Sequence, residues 1–199
     1  MYYTKSLPLL FLILSGCTTV ISHEPAPGGP VGADALGASV DKEISLYRQA
    51  ISALNNSELE KAESDLKMIT KDRPEFAGPW INLALIDIKR NNLEGAEKYL
   101  AKALERNPKM PQVYNVRGFI ETKKGNIAKA ADHYRQAIAL KEDYAMAHYN
   151  LALLHDIYLQ DPKVAVQHYK RYLELINNED KKTAEWVLEL ERTLARGTP

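Results

Sequence analysis

Residues 80–108 read WINLALIDIKRNNLEGAEKYLAKALERNP, and residues 114–142 read YNVRGFIETKKGNIAKAADHYRQAIALKE. Laid over each other at an offset of 34 residues, the two stretches share one pattern. Trp80 lies over Tyr114, Ala84 over Gly118, Ala96 over Ala130, Leu100 over Tyr134 and Ala103 over Ala137. The same register runs upstream through Leu46, Ala50, Ala62, Leu66 and Ile69. Pro74 and Pro108 close the first two copies, while the third has Glu142 at that place. From residue 41 onward glycine is scarce and the apolar spacing is helical. A repeat of this length reads as a pair of short helices that buries its apolar face only by stacking on its neighbours.

The offsets have a steric reason. Two antiparallel helices approach most closely at small residues, and a larger side chain there forces them apart or strains them. Bulky Trp80, Leu83 and Leu100 fill the space beside those points. Asn91-Asn92 and Gly125-Asn126 supply residues that tolerate the left-handed turn ending a first helix. Pro74 and Pro108 stop second helices. A fourth copy begins near Ala145, with His148, Leu151 and Ala152 at the bulky, leucine and small positions. Its Ala165 lies 35 residues beyond Ala130, so the turn 159–163 holds one extra residue, and Pro162 suits the first position of the next helix. Tyr172 stands where a small residue is usual, which predicts looser packing there. The first copy is the weakest: against the tetratricopeptide pattern that this repeat resembles, Gln49 and Ala53 stand where leucine and an aromatic residue are common. Residues 180–195 carry Trp186, Val187, Leu190 and Leu194 at helical spacing and read as a terminal cap.

This pattern resembles the tetratricopeptide repeat. The resemblance implies an all-α fold, a right-handed α-solenoid of about four repeats over residues 41–177, with a capping helix and tail over 178–199. Its packing positions carry over to Ala62, Trp80, Ala84, Ala96, Gly118, Ala130, Ala152 and Ala165. It also implies a concave groove lined by the first helices. The groove-facing positions would be Tyr47, Ile51 and Leu54, then Ile81, Leu85, Ile88 and Lys89. They continue through Asn115, Phe119, Thr122 and Lys123 to Tyr149, Leu153 and Asp156. Chaperone-binding members clamp a terminal carboxylate with Lys and Asn at two of these positions, and that clamp is absent. The mostly apolar stripe is therefore expected to take an amphipathic helix or extended apolar segment of a protein partner.

The amino-terminal stretch reads MYYTKSLPLLFLILSGC. Lys5 precedes an apolar run of about eight residues, too short to span a bilayer. Leu14, Ser15 and Gly16 ahead of Cys17 resemble a bacterial lipobox. That resemblance implies a signal peptide over residues 1–16, cleavage before Cys17, and diacylglycerol transfer to its thiol with N-acylation, palmitate being a suitable label. Acyl chains in that number hold a protein firmly on a membrane. Thr18, rather than Asp, resembles the sorting pattern for the outer membrane, so the expected place is the periplasmic face of the bacterial outer membrane. Residues 17–40 are rich in Pro and Gly, with no aromatic residue, and read as a flexible tether. Such a coil reaches roughly 25 Å on average.

The chain's 26 basic and 26 acidic side chains balance, which argues against nucleic acid as a partner. One Cys excludes an intramolecular disulfide and a multi-Cys metal site. His148 and His155 are two helical turns apart, too far to share one zinc ion, and read as packing residues. His133 and His168 share a repeat register and read as outer-face residues. No catalytic string is present, and the carboxylates alternate with Lys as on a solvated surface. No catalytic residue, metal or cofactor is expected. The layout of anchor, tether, four repeats and cap resembles the type IV pilus biogenesis lipoproteins that help outer-membrane secretins assemble. That resemblance implies a non-enzymatic assembly scaffold. The rival is an adaptor that recruits cell-wall hydrolases or envelope proteases.

Overall fold

The computed structural model describes residues 33–197, with side chains from residue 42. The signal peptide, Leu14, Ser15, Gly16 and Cys17, and the tether up to residue 32 lie outside the described residues. Nine helices and no strand are present among the described residues. They are α1 (Ala33–Asn55), α2 (Leu59–Asp72), α3 (Ala77–Lys89), α4 (Leu93–Arg106) and α5 (Pro111–Lys123). There follow α6 (Ile127–Leu140), α7 (Ala145–Ile157), α8 (Pro162–Leu175) and α9 (Lys181–Ala195). None of these helices is long and apolar enough to cross a membrane.

One boundary differs from the sequence expectation. Helix α1 opens at Ala33, so residues 33–40, read above as tether, are helical. Ala33, Ala35, Leu36 and Ala38 are strong helix formers, and the single Gly37 does not outweigh them. The Pro and Gly that mark a tether are concentrated further upstream, at residues 25–30.

The helices fall into two compact units, one ending at Asn107 and the other beginning at Pro108. In the first unit α1 pairs with α2, α2 with α3 and α3 with α4. Ala50, Ala62, Ala84 and Ala96 are fully buried where these helices meet, beside Leu66, Leu83 and Leu100. Trp80 is anchored twice. Its indole N–H donates to the Pro74 carbonyl at 3.0 Å. Its ring stacks on Tyr99 at 6.0 Å, with Lys102 Nζ 4.5 Å above it. Arg106 Nε donates to the same Pro74 carbonyl, so that proline stops α2 and also presents an acceptor to two later side chains. Gln49 is exposed and bonds to Ser45 within its own helix, while Ala53 is buried.

In the second unit α5 pairs with α6, α6 with α7, α7 with α8 and α8 with α9, and α5 also touches α7. Ala130, Ala131, Tyr134, Leu151 and Leu154 form a core at the α6–α7 contact, with Ile127 and Ile138 packed on its rim. Gly118 is buried, and Ala137, Ala152 and Ala165 are at zero exposure. Val187 and Leu190 of α9 are buried, and Trp186 sits at the edge with more than a third of its surface exposed.

Each turn between a first and second helix contains one left-handed residue. These are Ser57, Asn91, Gly125 and Gln160, with φ between 51° and 79°. The three non-glycine residues accept that conformation at modest cost because each is a single turn position. Asn92, Asp161 and Asp180 then cap α4, α8 and α9 by accepting from backbone N–H groups. Such caps satisfy amides that have no partner within the helix.

Candidate partner-binding face

The stripe expected to line a groove is mostly interior. Ile81, Leu85, Asn115, Phe119, Tyr149 and Leu153 are all buried, between 1 and 7% exposed. Tyr47 and Ile51 are half-buried. The expectation of an open apolar docking stripe on these residues is therefore corrected: they pack. In the first unit, Asn82 Nδ2 donates to Tyr47 Oη at 2.8 Å, and that hydroxyl lies over Gly78, where an added Cβ would meet it at 3.1 Å. In the second, Asn150 Nδ2 donates to Asn115 Oδ1 at 2.9 Å. Both bonds tie one first helix to the next at positions 35 residues apart. A polar pair that is buried and mutually satisfied stabilises the contact, whereas either partner alone would cost.

Around Tyr149 the space is filled by aromatic residues of α8. Tyr169 and Tyr172 meet it edge-on at 5.6 and 4.9 Å. Tyr172 is 5% exposed, and its hydroxyl donates to Asp180 Oδ2 at 3.3 Å. The looser packing expected at Tyr172 is corrected: its ring packs and its hydroxyl is bonded to the cap residue of α9. Asp156 accepts from Trp186 Nε1 at 2.7 Å and Tyr169 Oη at 3.4 Å, so α9 is held to α7 by a charged acceptor. Burial pushes the Asp156 carboxyl above the usual range, and the two donors oppose that shift.

The histidines divide differently from the sequence reading. His148 is buried, and its two ring nitrogens face the Glu142 carbonyl and His168 Nδ1, each at 3.0 Å. His168, expected on an outer face, is instead packed against His148. The His155 ring stacks on His168 at 6.5 Å, and its Nδ1 is buried with no hydrogen-bond partner. The relevant signal was the repeat register itself: His168 occupies the place of Tyr99, and His148 that of Trp80. No group of three or more His, Cys, Asp or Glu that could hold a metal is formed among the described residues.

The apolar surface that remains open lies elsewhere. In the first unit Ile44, Met68 and Phe76 are exposed singly. In the second, Ile157, Tyr158 and Leu159 are exposed in succession at the end of α7, each between 43 and 49%. Leu188 of α9 is half exposed. Three consecutive large apolar residues in water are the feature most suited to contact with another protein.

Residues 33–165 match the family model described as the tetratricopeptide repeat protein 21 C-terminal ARM domain. The chain is also similar to human protein O-mannosyl-transferase TMTC3, at 33% identity over 55% of this chain and 12% of that one. It thus spans only a small part of the length of that relative. Among solved structures, PilF of Pseudomonas aeruginosa superposes with a TM-score of 0.67 and 18% identity, over 78% of this chain and 70% of PilF. The tetratricopeptide-repeat protein TTC0263 of Thermus thermophilus gives 0.66 and 21% identity, over 78% of this chain and 84% of that one. At these identities the likeness is one of fold: an all-α solenoid of tetratricopeptide type.

Proposed function

The chain belongs to the family of the tetratricopeptide repeat protein 21 C-terminal ARM domain, and from that premise we propose that it is a non-enzymatic scaffold for protein–protein contacts. The observation that carries this reading is the exposed run Ile157-Tyr158-Leu159 at the end of α7. A run of that kind is stabilised by a partner that covers it.

The finer reading places the scaffold on the periplasmic face of the bacterial outer membrane, anchored by lipid on Cys17, where it helps a complex such as a pilus secretin to assemble. The string Leu14-Ser15-Gly16-Cys17 and the layout of anchor, tether and repeats support it. The shared fold with PilF is compatible with that role.

The test uses a deletion strain complemented with wild-type chain, with Cys17→Ala, or with Tyr158→Glu combined with Leu159→Glu. Secretin multimers should be lost in the deletion strain and in the Tyr158/Leu159 variant, and restored by wild type. Palmitate labelling and membrane retention should be lost for Cys17→Ala. Intact secretin multimers in the deletion strain overturn the secretin role. Changed levels of cell-wall hydrolases or proteases in that same strain would favour the rival adaptor. Turnover of a substrate by the purified chain would overturn the non-enzymatic reading.

A further inference from the structure

Three repeats build an aromatic pair at one register. Trp80 and Tyr99 lie 6.0 Å apart, Tyr114 and His133 6.5 Å, and His148 and His168 5.3 Å, between ring centroids. In the pair Trp80–Tyr99 the indole N–H donates to the carbonyl of Pro74, six residues earlier. His148 Nε2 lies 3.0 Å from the carbonyl of Glu142, also six residues earlier. A carbonyl can only accept, so neutral His148 carries its proton on Nε2 as Trp80 does. Its Nδ1 is then a bare lone pair. The facing His168 Nδ1, 3.0 Å away, must supply the N–H between them.

Proton counting makes this pair unlike the other two. One added proton can be held: His148 becomes the Nδ1–H donor, and His168 accepts at Nδ1 with its own proton on Nε2. A second proton puts an N–H on both facing nitrogens and a positive charge on both rings. No tautomer then preserves the contact, because two donors meet with no acceptor between them. The surroundings add to the difficulty. His155 of α7 stacks on His168, and its Nδ1 is buried without a partner. Arg135 of α6 acts against protonation of His155 and His168, and Arg171 of α8 against that of His148. Glu142, ahead of α7, favours charge on His148, and Asp161, ahead of α8, favours charge on His155. His133 of α6 has its ring against Tyr114 of α5.

We propose that the His148–His168 pair, with His155 behind it, is an acid-operated latch between α7 and α8. It is closed at neutral pH and opens the last repeat when both rings take up protons. The sign follows from burial. Burial, then the neighbouring His148, His155 and Arg135, push the His168 imidazole down to about 4, and His148 and His155 are also held below the usual value. The unfolded chain binds these protons at the ordinary histidine value of 6.5, so the latch contributes stability above that pH. The contribution is lost as pH falls from 6.5 toward about 4.

The test is amide hydrogen exchange on the full chain, from about pH 7 down to about pH 4.5 with intrinsic exchange rates corrected. It compares wild type with the double variant His148→Trp/His168→Tyr, which copies the Trp80–Tyr99 pair and does not titrate. Protection of α7 and α8 should fall on the order of tenfold further in wild type than in the variant, with α2 alike in both. An equal fall in the two proteins overturns the latch. A second measurement needs no variant: ring-nitrogen NMR of the wild-type chain. It should find His148 protonated on Nε2 at neutral pH, and both rings of the pair titrating below the usual histidine value. Independent titration of the two rings at that usual value also overturns the proposal.

Discussion

Gly118 faces the ring of Tyr134 so closely that a Cβ on it would lie 2.5 Å from Cε1. That distance is well inside van der Waals contact, and Tyr134 is fully buried and bonded near Thr122, so its ring has nowhere to go. Gly118→Ala should therefore destabilise the fold by about 1–3 kcal/mol. The equivalent places in the preceding repeat hold Ala84 and Leu100, a larger and a smaller residue respectively. Adding Tyr134→Leu to Gly118→Ala should recover part of the loss in a denaturant-melt double-mutant cycle, and strict additivity would refute the steric account.

A second prediction concerns the amide bridge between α5 and α7. Asn115 is 2% exposed, and its carbonyl accepts from Asn150. Asn150→Ala leaves that carbonyl buried without its donor and should cost about 1–3 kcal/mol. Replacing both residues by Leu should cost less than the single change, because no polar group is then stranded. Urea titration of the two variants beside wild type decides the order.

The raised carboxyl of Asp156 gives a pH prediction of opposite sign to that of the histidines. Its folded-state value lies above the unfolded 3.8, so the folded chain holds this proton more tightly. The stabilising contribution is present below 3.8 and is lost as pH rises through the folded value. Asp156→Asn retains an acceptor for Trp186 and Tyr169 but no longer titrates. The melting temperature of the variant relative to wild type should therefore drop as pH is lowered from neutral toward about 4. A difference that is flat or rises over that range contradicts the assignment.

The cap offers a fourth test. Trp186 Nε1 donates to Asp156 at 2.7 Å, and the ring is 38% exposed. Trp186→Phe should cost about 1–2 kcal/mol, the low part of the range for bonds to charged groups because solvent screens part of it. In the Asp156→Asn background the same change should cost less. Calorimetry of the four proteins provides the cycle.

The repeat was legible because the residues that set it are constrained by backbone approach. Ala62, Ala96, Ala130 and Ala165 are small for a reason that any sequence obeying the fold must share, and all four are at zero exposure. The closing of the first-helix stripe was not legible. Tyr149 is covered by Tyr169 and Tyr172, which belong to the next helix, and periodicity along one helix says nothing of what the neighbour places over it. His168 shows the same limit. Its register marked it as equivalent to Tyr99 and His133, but its partner His148 comes from the antiparallel helix, and only packing brings the two nitrogens to 3.0 Å. The start of α1 at Ala33 was hidden by the Pro and Gly just ahead of it.

The bond from Trp186 to Asp156 also bears on how such an array can change length. In the second unit α5 seats α7 through the Asn115–Asn150 bond, and α7 in turn seats α9, which is pinned at Asp156 and capped by Asp180. Within that unit a duplicated pair of helices, 34 residues long and placed ahead of α7, would meet α5 and α7 through contacts of the kind those two helices already make. Inserted behind Leu175 it would have to displace α9 and leave Asp156 with Tyr169 as its remaining donor. Within the second unit a duplication is therefore accommodated ahead of α7 more readily than behind α8, because only the latter breaks the bond that holds α9.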